Sequence, residues 1–319
     1  MPAHYPSRFW LLQLSNSSRA ESSAAPASKI VGDEGEKFMS IRSIASRHLP
    51  PFKWKNPMVN AALKVADSVD YIARLVSQRT YIPPYSIRVR STGFKNDFGA
   101  ARFQAGGRRF TNLLRTHAKL TPDSRILEIG CACGRTAFGL AEILNDGNYI
   151  GMDIERVSLA SARANSKLRR KGFQFELLDI RNGGYNPEGK YLATEYVFPY
   201  RDESFDIVFM TSVFTHMLTD EVLNYARQIA RVLKPGGCCL LTAYLLDREM
   251  TIQFPFKSQE HSYMNEEIPE FNVAYRSEFL ISTFANNGML CTAGPLWGPI
   301  HGGKSEIGGV QDIMVFTKQ

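Results

Sequence analysis

The sequence predicts an α/β protein built on a doubly wound, mostly parallel sheet. Strand-like and helix-like runs alternate from Pro122 onward, one strand passes straight into a glycine-rich turn at 130–134, and Asp153 and Asp179 close the next two strands. Strand followed by helix, repeated, gives βαβ units with right-handed crossovers, which keep neighbouring strands parallel. The strands fall at 125–130, 148–153, 173–178, 205–211, 238–244, 289–293 and 310–317, and the helices at 135–144, 156–171, 220–233 and 277–286. The last two strands differ. Their connection, 294–309, holds Pro295, Pro299, Gly302 and Gly303 and no helical period, so they pair antiparallel as a hairpin.

Ahead of this domain, residues 1–38 are rich in Ser and Ala, turn acidic at Asp33, Glu34 and Glu36, and lack a hydrophobic period, so they read as disordered. From 56 to 78, Met58, Ala62, Val65, Val69, Ile72 and Val76 recur at steps of three and four, with Pro57 in the first turn where its missing N–H costs nothing. That is an amphipathic helix, either packed on the main domain or serving as a lid or membrane-surface element. Pro83 and Pro84 end it, and Arg88, Arg90, Lys95, Arg102, Arg108 and Arg109 follow. Residues 39–99 thus form a basic helical extension or lid, and residues 100–319 the main domain. Phe94, Phe98, Phe103 and Phe110 are expected to pack on that domain while Arg and Lys turn to the mouth of the site.

With 44% hydrophobic and 22% charged residues among 319, the composition excludes collagen-like, coiled-coil and wholly disordered classes. No apolar run approaches the ~18 residues of a membrane span. Five cysteines, an odd number, suit free thiols in a reducing compartment, which makes the cytoplasm the expected location. Cys131-x-Cys133 lacks zinc-ligand spacing, and Glu260, His261, Glu266 and Glu267 fit no usual ligand pattern, so no metal is expected. Residues 1–120 hold 19 Lys and Arg against 7 Asp and Glu, whereas 121–319 hold 19 against 24, so a basic front precedes an acidic body. Such asymmetry points to an anionic partner (nucleic acid, phosphorylated metabolite or membrane surface) or to a solvated basic face without a ligand.

The strongest chemical signal is Ile126-Leu127-Glu128-Ile129-Gly130-Cys131-Ala132-Cys133-Gly134-Arg135. Small residues after a buried strand let backbone approach a ligand, and the helix start favours a carboxylate. A dinucleotide fingerprint needs a small residue where Arg135 stands, which argues against a nicotinamide cofactor. Asp153, 23 residues after Gly130, can accept both hydroxyls of a ribose. Asp179 can accept from an adenine amino group, with Ile154 and Ile180 as apolar faces.

Together with Phe205-Asp206-Ile207-Val208 and Leu233-Lys234-Pro235-Gly236-Gly237, these residues resemble the successive motifs of the class I S-adenosylmethionine-dependent methyltransferases over about residues 100–319. Ala132 departs from the pattern, standing where the family has a second glycine. The resemblance implies a Rossmann-like, seven-stranded sheet with an antiparallel last strand and S-adenosylmethionine as cofactor. It implies cofactor contacts by Glu128, Gly130, Cys131, Ala132 and Gly134 around the methionine end, Asp153 at the ribose, Ile154, Asp179 and Ile180 at the adenine, and Thr211 at the end of the fourth strand. The runs 182–189, 212–217 and 311–313 are similar to a bacterial subgroup acting on glycans, lipids and other small molecules.

Methyl transfer needs mainly alignment of the acceptor with the S–CH₃ bond, and a base only where the acceptor loses a proton. His216, just past the fourth strand, is the candidate base, or else a histidine bonded to backbone at a helix entry. The stretch 246–276 carries Phe254, Phe256, Tyr263 and Phe271 and reads as a substrate cover. The acceptor expected is a small molecule or glycan, acidic or phosphorylated, methylated at oxygen. The alternatives are a nucleic-acid methyltransferase or a noncatalytic module that binds the cofactor or nucleic acid.

Overall fold

Strands β1 (Ile126–Ile129), β2 (Tyr149–Asp153), β3 (Gln174–Leu177), β4 (Phe205–Met210) and β5 (Leu233–Leu245) lie side by side in the order β3-β2-β1-β4-β5, all parallel. The computed structural model describes residues 56–92, 97–302 and 311–319, all within one compact unit, Ile44–Gln319. The 1–38 segment and Phe94 lie outside the described residues. Beyond β5 come β10 (Asp312–Lys318) and then β9 (Met289–Leu296), with β10 antiparallel to both neighbours. The hairpin and the antiparallel last strand expected from the sequence are therefore present.

Successive residues of β1 alternate between two cores. Leu127 and Ile129 join Met152, Val208, Leu241 and Phe316 on one face, and Ile126 joins Tyr149, Ile207, Leu240 and Val315 on the other. Such two-sided burial is what parallel strands require.

The sheet has ten strands rather than seven. The 246–276 insert, expected as a substrate cover, contains β6 (Phe256–Lys257), β7 (His261–Tyr263) and β8 (Val273–Tyr275). At 13 residues β5 is long enough for Tyr244 and Leu245 to pair with β8, and β7 and β6 add antiparallel. Pieces of two or three residues show no period, so the sequence could not reveal them.

Five helices, where the sequence predicts four, lie between the main strands. The helix expected at 156–171 is two, α5 (Arg156–Ala164) and α6 (Ser166–Arg170), because Asn165 adopts ψ 120° and caps α6 through Lys167 and Leu168 N–H. The others are α4 (Arg135–Leu140), α7 (Thr219–Val232) and α8 (Ser277–Ala285).

The extension supplies α1 (Pro57–Val76), α2 (Tyr85–Thr92) and α3 (Ala101–His117). Helices α3 and α4 meet on glycine: a Cβ on Gly107 would lie 2.3 Å from the Arg135 carbonyl oxygen, and one on Gly139 2.5 Å from Thr111 Oγ1. Phe103 and Phe110 are buried as expected, but Phe98 is exposed and stacks on Tyr85. Helix α1 forms with its apolar stripe outward, burying Leu63, Asp70 and Arg74 instead. Asp70 accepts from Arg74 Nε (2.7 Å), Arg88 Nη1 and Nη2 (3.0 and 2.8 Å) and Gly99 N–H (3.0 Å). Arg74 and Arg88 therefore turn into the body, not toward a site mouth.

Candidate active site

Parallel β1 to β4 end at one edge of the sheet, where a doubly wound fold places its ligands. The loop after β1 is shaped by backbone: Gly130, Ala132 and Gly134 all have positive φ, at 75°, 47° and 81°. For Ala132 that region costs about 1–2 kcal/mol relative to the right-handed one. A Cβ on Gly134 would press Leu168 at 3.1 Å, and one on Gly130 would collide with Val213 Cγ2 at 2.6 Å. Cys131 and Cys133 are buried, burial holds both thiols above their usual range, and all five cysteines are free.

Asp153 ends β2 facing this loop. Its Oδ2 accepts from Ala132 N–H and its Oδ1 from Glu155 N–H, both at 2.7 Å. Burial nevertheless pushes its carboxyl up to about 6. An ionised carboxylate offers about four acceptor positions, and the Ile154 backbone also bonds this one, so about one remains for a donor from a ligand. Glu128 is buried on the α3 and α4 side, accepts from the Tyr149 hydroxyl, and is pushed by burial to about 8. Ile154 is half-buried against the core, Asp179 is exposed two residues past β3, Ile180 is buried in the core, and Thr211 is half-buried one residue past β4.

The extension reaches the same edge. Ser91 Oγ in α2 is 3.6 Å from Cys133 Sγ, and Arg90 is 3.6 Å from the Glu155 carboxylate.

The opposite side of the site is made of side chains. His216 ends a short 3₁₀ turn, Phe214–His216, after β4; Asn182 Nδ2 donates to its carbonyl at 2.9 Å, and its Nε2 lies 3.4 Å from the Tyr185 hydroxyl. Its Nδ1 is buried without a hydrogen-bond partner among the described residues. Burial drives the ring down to about 4, opposed in part by the Glu270 backbone, so the imidazole is neutral at pH 7. Tyr185 is raised by burial and then by the Asp153 and Glu155 carboxylates, so it spans from His216 toward the end of β2. Glu221, bonded to Leu218 N–H, is pushed to about 7 by burial, with Glu270 and Asp220 adding to the rise.

Several of these residues were not singled out by sequence. Gly151 carried a usable signal, since glycine inside a strand marks close approach; here a Cβ would lie 2.8 Å from both Cys131 Sγ and the Tyr149 hydroxyl. Tyr185 and Asn182 lay in a run noted only for its similarity to a subgroup. Glu221, Glu270 and Arg90 gave no local signal.

Comparison with known proteins finds similarity over the central part of the chain. Residues 127–239 match the model of a methyltransferase domain. An uncharacterised protein of Haemophilus influenzae is 32% identical over 44% of this chain and 51% of its own length. A phthiotriol/phenolphthiotriol dimycocerosates methyltransferase of Mycobacterium ulcerans is 28% identical over 40% of each chain. A tRNA N(3)-cytidine methyltransferase of Gallus gallus is 29% identical over 38% of this chain and 30% of its own. The chain thus spans about half or less of the length of the curated relatives it matches. All but the first residue of β1, strands β2 to β4, the start of β5 and the glycine loop facing Asp153 lie within residues 127–239, the stretch that matches a methyltransferase domain.

Proposed function

We propose that this chain transfers a methyl group from S-adenosylmethionine to an uncharged hydroxyl of a small-molecule or glycan-like acceptor. The observation that carries the reading is Asp153, whose carboxylate is aimed at the glycine loop by two backbone N–H groups and keeps an acceptor position free for a ribose hydroxyl. S-adenosylmethionine supplies an electrophilic methyl group on a sulfonium. Gly130, Cys131, Ala132 and Gly134 would let backbone approach the methionine end, with Glu128 beneath them, while Ile154, Asp179 and Ile180 stand at the adenine end and Thr211 at the mouth.

On the acceptor side, His216 stays neutral above about pH 4, so it would orient the acceptor hydroxyl as a hydrogen-bond acceptor, and the proton freed when the oxygen is methylated would leave to solvent. Glu221 with neighbouring Glu270 and Asp220 makes this side acidic, and Arg74 and Arg88 are taken up by Asp70. Both facts favour an uncharged acceptor over a phosphorylated or acidic one. A tRNA methyltransferase among the relatives supports nucleic acid as the second reading.

The test is incubation of the chain with methyl-labelled S-adenosylmethionine and either the small-molecule or the RNA fraction of a cell extract. Label is expected in hydroxyl-bearing small molecules; label in RNA alone would overturn the acceptor, and no cofactor binding would overturn the function. In calorimetry, Asp153→Ala should weaken cofactor binding about tenfold or more, as loss of a charge-assisted acceptor costs about 1.5–3 kcal/mol.

A further inference from the structure

Helix α1 presents an apolar seam to the outside. Met58, Ala62, Val65, Val69, Ile72 and Val76 are all exposed, Met58 and Val76 by 82% and 81%, and Ala61, Ser68 and Leu75 flank them, exposed as well. None of these nine residues is charged. The helix cannot roll to hide them, because Asp70 and Arg74 on its other side are locked with Arg88 in a buried ion-pair network whose disruption is strongly unfavourable.

The seam advances by 4, 3, 4, 3 and 4 residues, which is the heptad spacing of a coiled-coil stripe. It also reads the same from either end. Two antiparallel copies related by a two-fold axis beside Asp67 set Met58 against Val76, Ala62 against Ile72 and Val65 against Val69. On the flank Ala61 faces Leu75 and Ser68 faces its own copy. Ala62 and Ala61 thus each meet a large residue, and no like charges meet. A helix made for a membrane surface would instead carry Lys and Arg along its polar side, and here α1 has two cations, of which Arg74 is buried and Lys64 alone is exposed.

We propose that the chain forms a two-fold symmetric dimer through antiparallel pairing of α1. A face about 30 Å long and about 10 Å wide gives on the order of 1,000 Å² for two copies with side-chain relief, at the low end for stable association. The pair is therefore reversible at micromolar concentration.

Sedimentation of the full chain from about 1 to about 100 μM should show the mass rising from one chain to two. Ile72→Glu, an exposed substitution, should weaken pairing about 100-fold or more and leave the chain monomeric and folded. As a register test, Ser68→Cys should cross-link to itself under mild oxidation, whereas Leu75→Cys should not. A monomer at every concentration would overturn the proposal, including one whose α1 seam is protected from hydrogen exchange by residues 1–55. So would a dimer indifferent to Ile72→Glu, equal linking by both cysteines, or a monomer that floats with phosphatidylcholine–phosphatidylglycerol vesicles through Ile72.

Discussion

The wall of the candidate site that carries the glycine loop is held by backbone, whereas the wall around His216 is made of side chains from three separate segments. On the first, positive φ at Gly130, Ala132 and Gly134 and two N–H groups fix Asp153, and α4 is held behind them by Gly107 and Gly139. On the second, Tyr185 and Asn182 come from the loop after β3, His216 and Glu221 from the turn and helix after β4, and Glu270 from the insert. On the proposed function, the difference separates two tasks. A backbone wall tolerates few replacements and suits a constant ligand, while a side-chain wall can be retuned to an acceptor without disturbing the first.

The largest expected effect breaks the backbone wall from behind. Gly107→Ala places a methyl against a main-chain oxygen, so α3 and α4 must part, and a loss of about 2–4 kcal/mol in thermal or urea unfolding is expected. A loss below about 0.5 kcal/mol would mean that the crossing is loose.

Next comes the side-chain wall. His216→Ala should reduce turnover by up to ~10²-fold by misplacing the acceptor, with cofactor affinity nearly unchanged, because the two walls are independent. Retained turnover with lost stability would make His216 a packing residue.

A third measurement reads the burial of Glu128. Its folded carboxyl, raised by burial to about 8 from 4.5, binds a proton that the unfolded chain has released. Its stabilising contribution is thus fully present below about pH 4.5 and lost as pH rises through about 8. Urea unfolding across that range should show declining stability, and Glu128→Gln should flatten the slope; an unchanged slope would place the charge elsewhere.

The smallest effect is at Ala132. Replacing it with glycine relieves the left-handed strain but adds unfolded-chain entropy, so a gain between zero and about 1 kcal/mol is expected by calorimetric melting. A loss would show that the Ala132 methyl packs in the loop.

Much of the backbone wall was legible in the chain itself. Gly130, Gly134 and Asp153 stand at fixed distances along one βαβ unit, so local geometry sets where they meet. The side-chain wall was only partly legible: His216 follows β4 directly, but Tyr185, Glu221 and Glu270 reach it through loops whose course no period encodes. The insert's three strands were hidden for the same reason, since β8 exists by pairing with the end of β5.

The sequence by itself determined the strand and helix alternation, the antiparallel last strand and the glycine loop, because each follows from local pattern and short connections. It also determined that α1 is an amphipathic helix. Which side of α1 faces inward was decided only by tertiary structure. Asp70, satisfied at once by Arg74, Arg88 and Gly99, outweighs the burial of Val65, Val69 and Ile72. A helical period says where a stripe lies on the helix, but partners distant in sequence decide which stripe the body receives.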